Sequence, residues 1–105
     1  MITQTDNKLP TYQEFGEKLH INFDEQEIIV KNMDDTERVA YEYTTAVSLT
    51  TASRAQLISD IINSKYSVGA EFAAINNAVD NPEEYATYQA FRAQAKQLAD
   101  GWISK

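Results

Sequence analysis

The sequence contains no cysteine. Disulfide bonds, a catalytic thiol and metal sites built from thiolates are therefore excluded, and packing alone must hold the fold together. Only three of the 105 residues are glycine, and they are never clustered, so no glycine-rich loop is present to cradle a phosphate group. Hydrophobic residues make up 43% and charged residues 24%, which is the composition of an ordinary globular domain.

Long apolar runs are also missing. The apolar runs contain no more than four residues, such as residues 28–30 and 72–75, whereas a membrane-spanning helix needs about 20. The first ten residues have neither the basic start nor the apolar stretch of a secretory signal. We therefore expect no membrane association and a cytosolic location.

Catalytic side chains are scarce. The one histidine, His20, alternates with Leu19 and Ile21 and has no nucleophile or orienting partner in a recognisable pattern, so we expect a solvent-facing strand residue. Two adjacent carboxylate pairs, at residues 24–25 and 34–35, lack the ligand pattern and central glycine of a calcium loop and are interpreted as turn residues. We predict a protein that is not an enzyme, with no catalytic, cofactor-binding or metal-binding residues.

Negative charge prevails, and it is unevenly distributed. The net charge is −7, with ten acids and four bases in residues 1–50 against six acids and five bases in residues 51–105. A field of this sign repels phosphate backbones, so nucleic-acid binding is not expected. The charge either keeps the protein soluble or presents an acidic face to a basic protein, and the residues alone leave both interpretations open.

The N-terminal region has little periodicity. Residues 1–10 are polar, which predicts a flexible arm ahead of a single domain at 11–105. The stretch 12–19 has apolar residues at helical spacing and predicts a short helix, although Gly16 lies within it.

A small antiparallel meander of two or three strands is predicted between residues 19 and 49, since the connections are short. Its last segment is rich in aromatic and β-branched residues, as in a half-buried strand. Alternation in that segment places one set of side chains on an apolar face and a second set on a polar face: Val39, Tyr41, Tyr43, Thr45, Val47 and Leu49 against Arg38, Glu42, Thr44 and Ser48.

Three helices are predicted to follow, at about 52–65, 68–78 and 82–100, which makes the fold class α+β. Ser53 can cap the first helix, and Asn81 caps the third with Pro82 in its first position. Gly101 can take the left-handed conformation that ends a helix. The first two helices carry apolar residues at helical spacing, namely Ala55, Ile58, Ile62 and Tyr66 in the first and Phe72, Ile75 and Val79 in the second.

The third helix has the clearest apolar stripe, about 80° wide. Its members are Tyr88, Phe91, Ala95, Leu98 and Trp102, which we predict to be core residues because large aromatics stabilise a small domain. Tyr85 lies outside the stripe. Together with Tyr66 and Trp102 it is a candidate for an interaction surface, because Tyr and Trp are common at binding hot spots.

Several short motifs carry a resemblance to a known group of proteins. They are Lys65-Tyr66-Ser67, Glu71-Phe72-Ala73, Ile75-Asn76-Asn77 and Pro82-Glu83-Glu84-Tyr85. With these motifs the C-terminal half resembles the C-terminal halves of small uncharacterised proteins of bacteriophages and prophages, which are generally encoded among structural genes. The resemblance implies a virion, tail or assembly role, a phage structural protein or a second copy as the partner, and a location in the host bacterial cytoplasm or the virion.

We therefore expect a non-enzymatic phage or prophage structural or accessory protein that acts by protein–protein interaction. The alternative is a small acidic inhibitor or adaptor that binds a basic host protein, and the excess of acids in residues 1–50 is the reason for considering it.

Overall fold

The computed structural model describes residues 1–104 and contains an antiparallel sheet followed by three helices. The predicted α+β class is confirmed, but the sheet has four strands rather than two or three. The elements in chain order are β1 (Ile2–Thr5), β2 (Tyr12–Phe15), β3 (Lys18–Lys31), β4 (Glu37–Leu49), α1 (Arg54–Asn63), α2 (Val68–Asn76) and α3 (Pro82–Ile103). The strand order across the sheet is β1-β4-β3-β2, with antiparallel pairing throughout.

The additional strands come from the N-terminal region. β1 lies within the predicted arm 1–10 and pairs with residues 41–44 of β4. β2 occupies the stretch predicted as a short helix, so that prediction was wrong. The physical reason is Gly16, whose φ of +65° starts a two-residue hairpin loop between Phe15 and Lys18. The mobility of the arm and the boundaries of the domain stay predictions, and Lys105 lies outside the described residues.

Residues 6–11 connect the two edge strands by crossing the sheet, because β1 and β2 lie at opposite edges. The side-chain amide of Asn22 donates to the carbonyl of Pro10 at 3.0 Å. The hydroxyl of Thr45 donates to the amide oxygen of Asn22 at 2.8 Å. These hydrogen bonds satisfy polar side chains that the crossing segment buries against the sheet.

The register of β3 and β4 defines an inner face toward the helices and an outer face. The register pairs Leu19 with Ser48, Ile21 with Ala46 and Phe23 with Thr44, and these six buried residues form the inner face. The predicted apolar face of β4 is therefore the outer face, where Tyr43 and Thr45 are buried but Val39, Val47 and Leu49 are exposed. The large inner side chains come from β3, and the small residues of β4 allow the helices to approach closely.

A β-bulge interrupts β3. The register shifts between Phe23 and Gln26, and Asp24 has a φ of 53°. Residues 24–25 thus lie inside a strand rather than in the predicted turn, whereas residues 34–35 lie between β3 and β4 as predicted.

The bulge directs the Asp24 carboxylate toward the helices. It forms an ion pair with Lys65, just after α1, and accepts a hydrogen bond of 2.9 Å from Gln94 of α3. Partial burial alone would raise the pKa of Asp24, but the hydrogen bonds from Gln94 and Lys65 and the charge of Lys65 outweigh it. The pKa of Asp24 therefore lies below its ordinary value, and this carboxylate joins the sheet to two helical segments.

α1 packs on the sheet with Leu57, Ile61 and Ile62 buried. The buried side is rotated from the predicted stripe, since Ala55 is exposed. The rotation turns Asp60 toward the sheet, where it accepts a hydrogen bond of 2.6 Å from Ser48, a residue of β4. Ser53 is confirmed as the N-cap, because its side chain accepts from the backbone N–H of Gln56.

α3 forms much of the helical side of the core. Tyr88, Phe91 and Ala95 are buried as predicted, and Leu98 and Trp102 pack against the core while partly exposed. The cap by Asn81 and the position of Pro82 are also confirmed.

Gly101 does not end α3, which continues to Ile103, so that prediction was wrong. The glycine instead makes room for Tyr12 of β2. A Cβ at position 101 would overlap the Tyr12 hydroxyl, which donates to the carbonyl of Leu98 at 2.6 Å. This close approach attaches α3 to an edge strand of the sheet.

The molecule is elongated. Its radius of gyration is 16.1 Å, against about 13 Å for a typical compact chain of this length, and its extents are 51 × 36 × 20 Å. The far end of the β3–β4 ribbon contributes no residue to the main core cluster, and Ile29 is 69% exposed there. Among residues 1–104, no helix combines the length and the hydrophobicity needed to cross a bilayer.

Candidate protein-binding surface

α2 presents large apolar side chains to solvent. Val68, Phe72 and Ile75 are 57%, 62% and 44% exposed, and Val79 in the turn after the helix is 92% exposed. Ala74 is the one residue of α2 that is buried. An amphipathic helix normally turns its large apolar residues toward the core, and α2 does not. We call these four exposed residues the α2 stripe.

The spacing of the α2 stripe is regular. Its members follow one another by four, three and four residues, and the three within the helix fall inside an arc of about 60°. This is the spacing of the anchors by which a helix binds an apolar groove or a neighbouring helix. Contiguous apolar patches of a few hundred Å² on a monomer are often functional.

α2 is attached to the rest of the molecule by a small contact. Ala74 packs into the core, and the hydroxyl of Tyr88 on α3 donates to the carboxylate of Glu71 at 2.6 Å. Burial and this hydrogen bond to a carboxylate raise the pKa of Tyr88 to about 12. Ser67 caps the helix by accepting from the backbone N–H of Ala70 at 3.1 Å. These contacts fix α2 in place and leave the α2 stripe outside the core.

The surroundings of the α2 stripe are acidic. Residues 66–91 contain four acids and no base, namely Glu71, Asp80, Glu83 and Glu84. Glu71 lies one helical turn from two stripe residues, and Asp80 directly follows Val79. The three ion pairs found within residues 1–104 use none of the four acids. The nearest preceding base, Lys65, is paired with Asp24.

A second exposed apolar region lies on the outer face of the sheet. Phe15, Val47 and Leu49 are 55%, 44% and 51% exposed there. His20 lies on the same face, partly exposed, with its ring 4.7 Å from that of Phe15. The crossing segment binds the neighbouring residues Asn22 and Tyr43, and the region lacks the regular spacing of the α2 stripe.

Of the three residues predicted for an interaction surface, Trp102 lies apart from the other two, Tyr66 and Tyr85. Tyr66 packs edge-on against Tyr88, with ring centroids 5.2 Å apart, and Trp102 lies 5.7 Å from the ring of Tyr12. Tyr85 and Trp102 are 17 residues apart on α3, which separates them by about 25 Å. Each of the three is partly exposed. Their role in binding stays a prediction.

The clefts of the molecule hold charged groups that already have partners. A cleft of about 250 Å³ contains Asp6 and Arg38, which form an ion pair with each other. A second cleft of about 310 Å³ contains Tyr43, whose hydroxyl donates to Glu25 at 2.6 Å. Across residues 1–104, no three His, Asp or Glu side chains gather in an arrangement that could hold a metal ion. His20 lines neither cleft.

The apolar periodicity of the sequence predicted a helix carrying Phe72, Ile75 and Val79 but gave no indication that they are surface residues. A partial signal was present, because Ala74 and Ala78 form a second apolar line on the same segment. A short helix can pack by its line of small residues and leave the line of large residues exposed. The stretch from 66 to 91 without bases was a further signal.

No family model, no curated protein and no solved structure matches this chain. The candidate surface is therefore defined by its own geometry and charge.

Proposed function

We propose that this protein is non-enzymatic and acts by binding another protein through the α2 stripe. The supporting observation is the exposure of four large apolar side chains on and after a helix that buries one alanine. Burying a side chain of this kind is worth about 1.5–3 kcal/mol relative to leaving it in water. A partner that covers the α2 stripe would therefore bind with a substantial hydrophobic contribution.

We further propose that the protein is a structural or accessory component of a phage or prophage, acting in the host cytoplasm or in the virion. This part rests on the resemblance of the C-terminal half. Two of the motifs behind it contain Phe72 and Ile75, and both side chains are exposed. Core packing therefore does not account for these motif residues, whereas binding to a partner would.

Size-exclusion chromatography with light scattering tests the proposal, using the purified protein alone and mixed with the products of neighbouring genes. We expect a complex with one of these products or with a second copy, and loss of that complex in a Phe72→Ala, Ile75→Ala double variant. Phe15→Ala, which changes an exposed aromatic on the outer face of the sheet, is the matched control. A strict monomer that binds none of the products would contradict the proposal.

A small acidic inhibitor or adaptor is the second candidate function. The acids of residues 1–50, and those around the α2 stripe, favour a basic target. A pull-down from host lysate at low and high salt separates the two candidates, because an electrostatic contact weakens as salt screens the charges. Absence of any salt-sensitive host protein would remove this candidate.

A further inference from the structure

We infer that the partner of the α2 stripe is a different protein, with an apolar groove whose walls carry lysine and arginine. This inference rests on the proposed function and adds the shape and charge of the partner. It follows from the small area of the α2 stripe, the small residues beside it and the sign of the charges around it.

The shape of α2 favours a groove over a flat surface. A specific interface buries about 800 Å² on each partner, whereas the α2 stripe alone offers a few hundred. A groove reaches the larger area because it also contacts the two sides of the helix. Gly69 and Ala73 lie beside the stripe, are exposed and are small, and nothing lies within 4 Å of the position where a Cβ of Gly69 would be. A groove wall can therefore approach the backbone of α2 closely on that side.

The charges favour basic groove walls and disfavour a second copy. The acids at positions 71, 80, 83 and 84 stand beside or just beyond the α2 stripe, with no base between residues 66 and 91. Two copies paired through α2 would bring these acids together, and each copy has a net charge of −7. Like charges facing each other across an interface oppose binding, whereas lysine and arginine in the groove walls would complement them.

Photocrosslinking in the native host identifies the partner without prior assumptions. The photoreactive residue p-benzoylphenylalanine replaces Phe72 in one variant and Gln97, an exposed residue of α3 away from the α2 stripe, in a second. We expect an adduct from position 72 and none from position 97. Mass spectrometry of the adduct should place the crosslink in a segment of another protein where apolar residues are flanked by lysine or arginine.

Affinity measurements with that purified protein then test both parts of the inference. Phe72→Ala should raise the dissociation constant at least about tenfold, since it removes the central anchor. An Asp80→Asn, Glu83→Gln double variant should raise it about three- to tenfold at low salt and reduce its dependence on salt concentration. Phe15→Ala should leave the dissociation constant unchanged. Circular dichroism of each variant checks that the fold is retained.

The outcomes separate failure of the inference from failure of the proposed function. Three outcomes would overturn the inference while protein binding stands. The first is an adduct only between copies of this chain, and the second is a partner whose dissociation constant is unchanged by Phe72→Ala. The third is binding that is insensitive to salt and to the two charge changes. Absence of any adduct at position 72 together with absence of any complex in chromatography would overturn both.

Discussion

Helices α2 and α3 share two sequence features, but α3 turns its large apolar residues toward the core and α2 turns them toward solvent. Each begins at a capping side chain and carries an aromatic within an apolar line. Phe91 of α3 is 6% exposed, whereas Phe72 of α2 is 62% exposed. α3 has 22 residues, about 33 Å, and lies along the core, while α2 has nine residues, about 13 Å, and docks through Ala74. Periodicity therefore reveals an apolar line on a helix but does not say whether that line faces the core.

Substituting Phe91 and Phe72 by alanine should give the largest difference in stability between the two helices. Phe91→Ala should destabilise the protein by about 3–5 kcal/mol, because it leaves a cavity among buried side chains. Phe72→Ala should change the stability by less than about 0.5 kcal/mol, because the ring is mostly in water. Urea unfolding followed by circular dichroism and by Trp102 fluorescence measures both. Similar losses for the two variants would show that α2 is packed like α3.

Burial of Tyr88 and its hydrogen bond to Glu71 should together make the stability of the protein fall at alkaline pH. The pKa of Tyr88 is raised to about 12, against about 10 in the unfolded chain, so the folded state holds this proton more tightly. The resulting stability is complete below pH 10 and is lost as the pH rises toward 12. Between these values the wild type should lose up to about 1.4 kcal/mol per pH unit more than Tyr88→Phe.

Urea midpoints at pH 7, 10 and 11 measure this difference. Burial also raises the pKa values of Tyr12 and Tyr43, but both residues are present in each protein and their effects cancel in the comparison. If the stability of the wild type and of Tyr88→Phe falls equally as the pH rises, the Tyr88 hydroxyl does not stabilise the contact between α3 and α2 through its bound proton.

Glycine-to-alanine substitutions in the two helices should change the stability of the protein in opposite directions. Gly101→Ala in α3 should cost about 1–3 kcal/mol, because the new methyl group overlaps the Tyr12 hydroxyl. Gly69→Ala in α2 has open space around it and should stabilise the protein by about 0.5–1 kcal/mol through helix propensity. Thermal or urea unfolding distinguishes these outcomes, and a gain at position 101 would refute the close contact between α3 and β2.

Acid sensitivity should depend on the ion pair and the hydrogen bond of Asp24, which join the sheet to Lys65 and α3, whereas none of the three ion pairs found within residues 1–104 involves α2. Asp24→Asn removes the charge that Lys65 and Gln94 bind and should cost about 1 kcal/mol at neutral pH, a modest value because the pair is partly exposed. The pKa of Asp24 is below its ordinary value, so its contribution is present above about pH 4 and is lost as the pH falls through the folded-state pKa. The difference from the wild type should therefore shrink near pH 2. Asp80→Asn, at an acid outside the three ion pairs, is the control, and an equal loss in that variant would argue against a specific role for Asp24.

Local features of the fold were predictable from the sequence. The Ser53 and Asn81 caps, the strand alternation of β4 and the buried side of α3 all depend on residues within a few positions of one another. Such features follow from hydrogen-bonding groups and periodicity that are present in any short segment. The α+β class was predictable for the same reason.

The candidate site was predictable only in part. Tyr66, Tyr85 and Trp102 were chosen by residue type, and the structure separates Trp102 from Tyr85 by most of the length of α3. Phe72 and Ile75 were placed on a helix correctly, whereas Val79 lies in the turn after it. The exposure of all three depends on Ala74 and the Tyr88–Glu71 hydrogen bond being the contacts that hold α2.

By itself, the sequence determined where the two long strands and the three helices form, how two of the helices begin and which side of α3 is buried. Only the tertiary structure decided that the crossing segment 6–11 covers part of the outer face of the sheet, that Gly101 lies beside Tyr12 and that the α2 stripe faces water. The physical reason is the separation along the chain of the residues that interact. Caps and periodicity are set by neighbouring residues, whereas the face that a helix buries depends on strand register and on contacts between residues far apart in the chain.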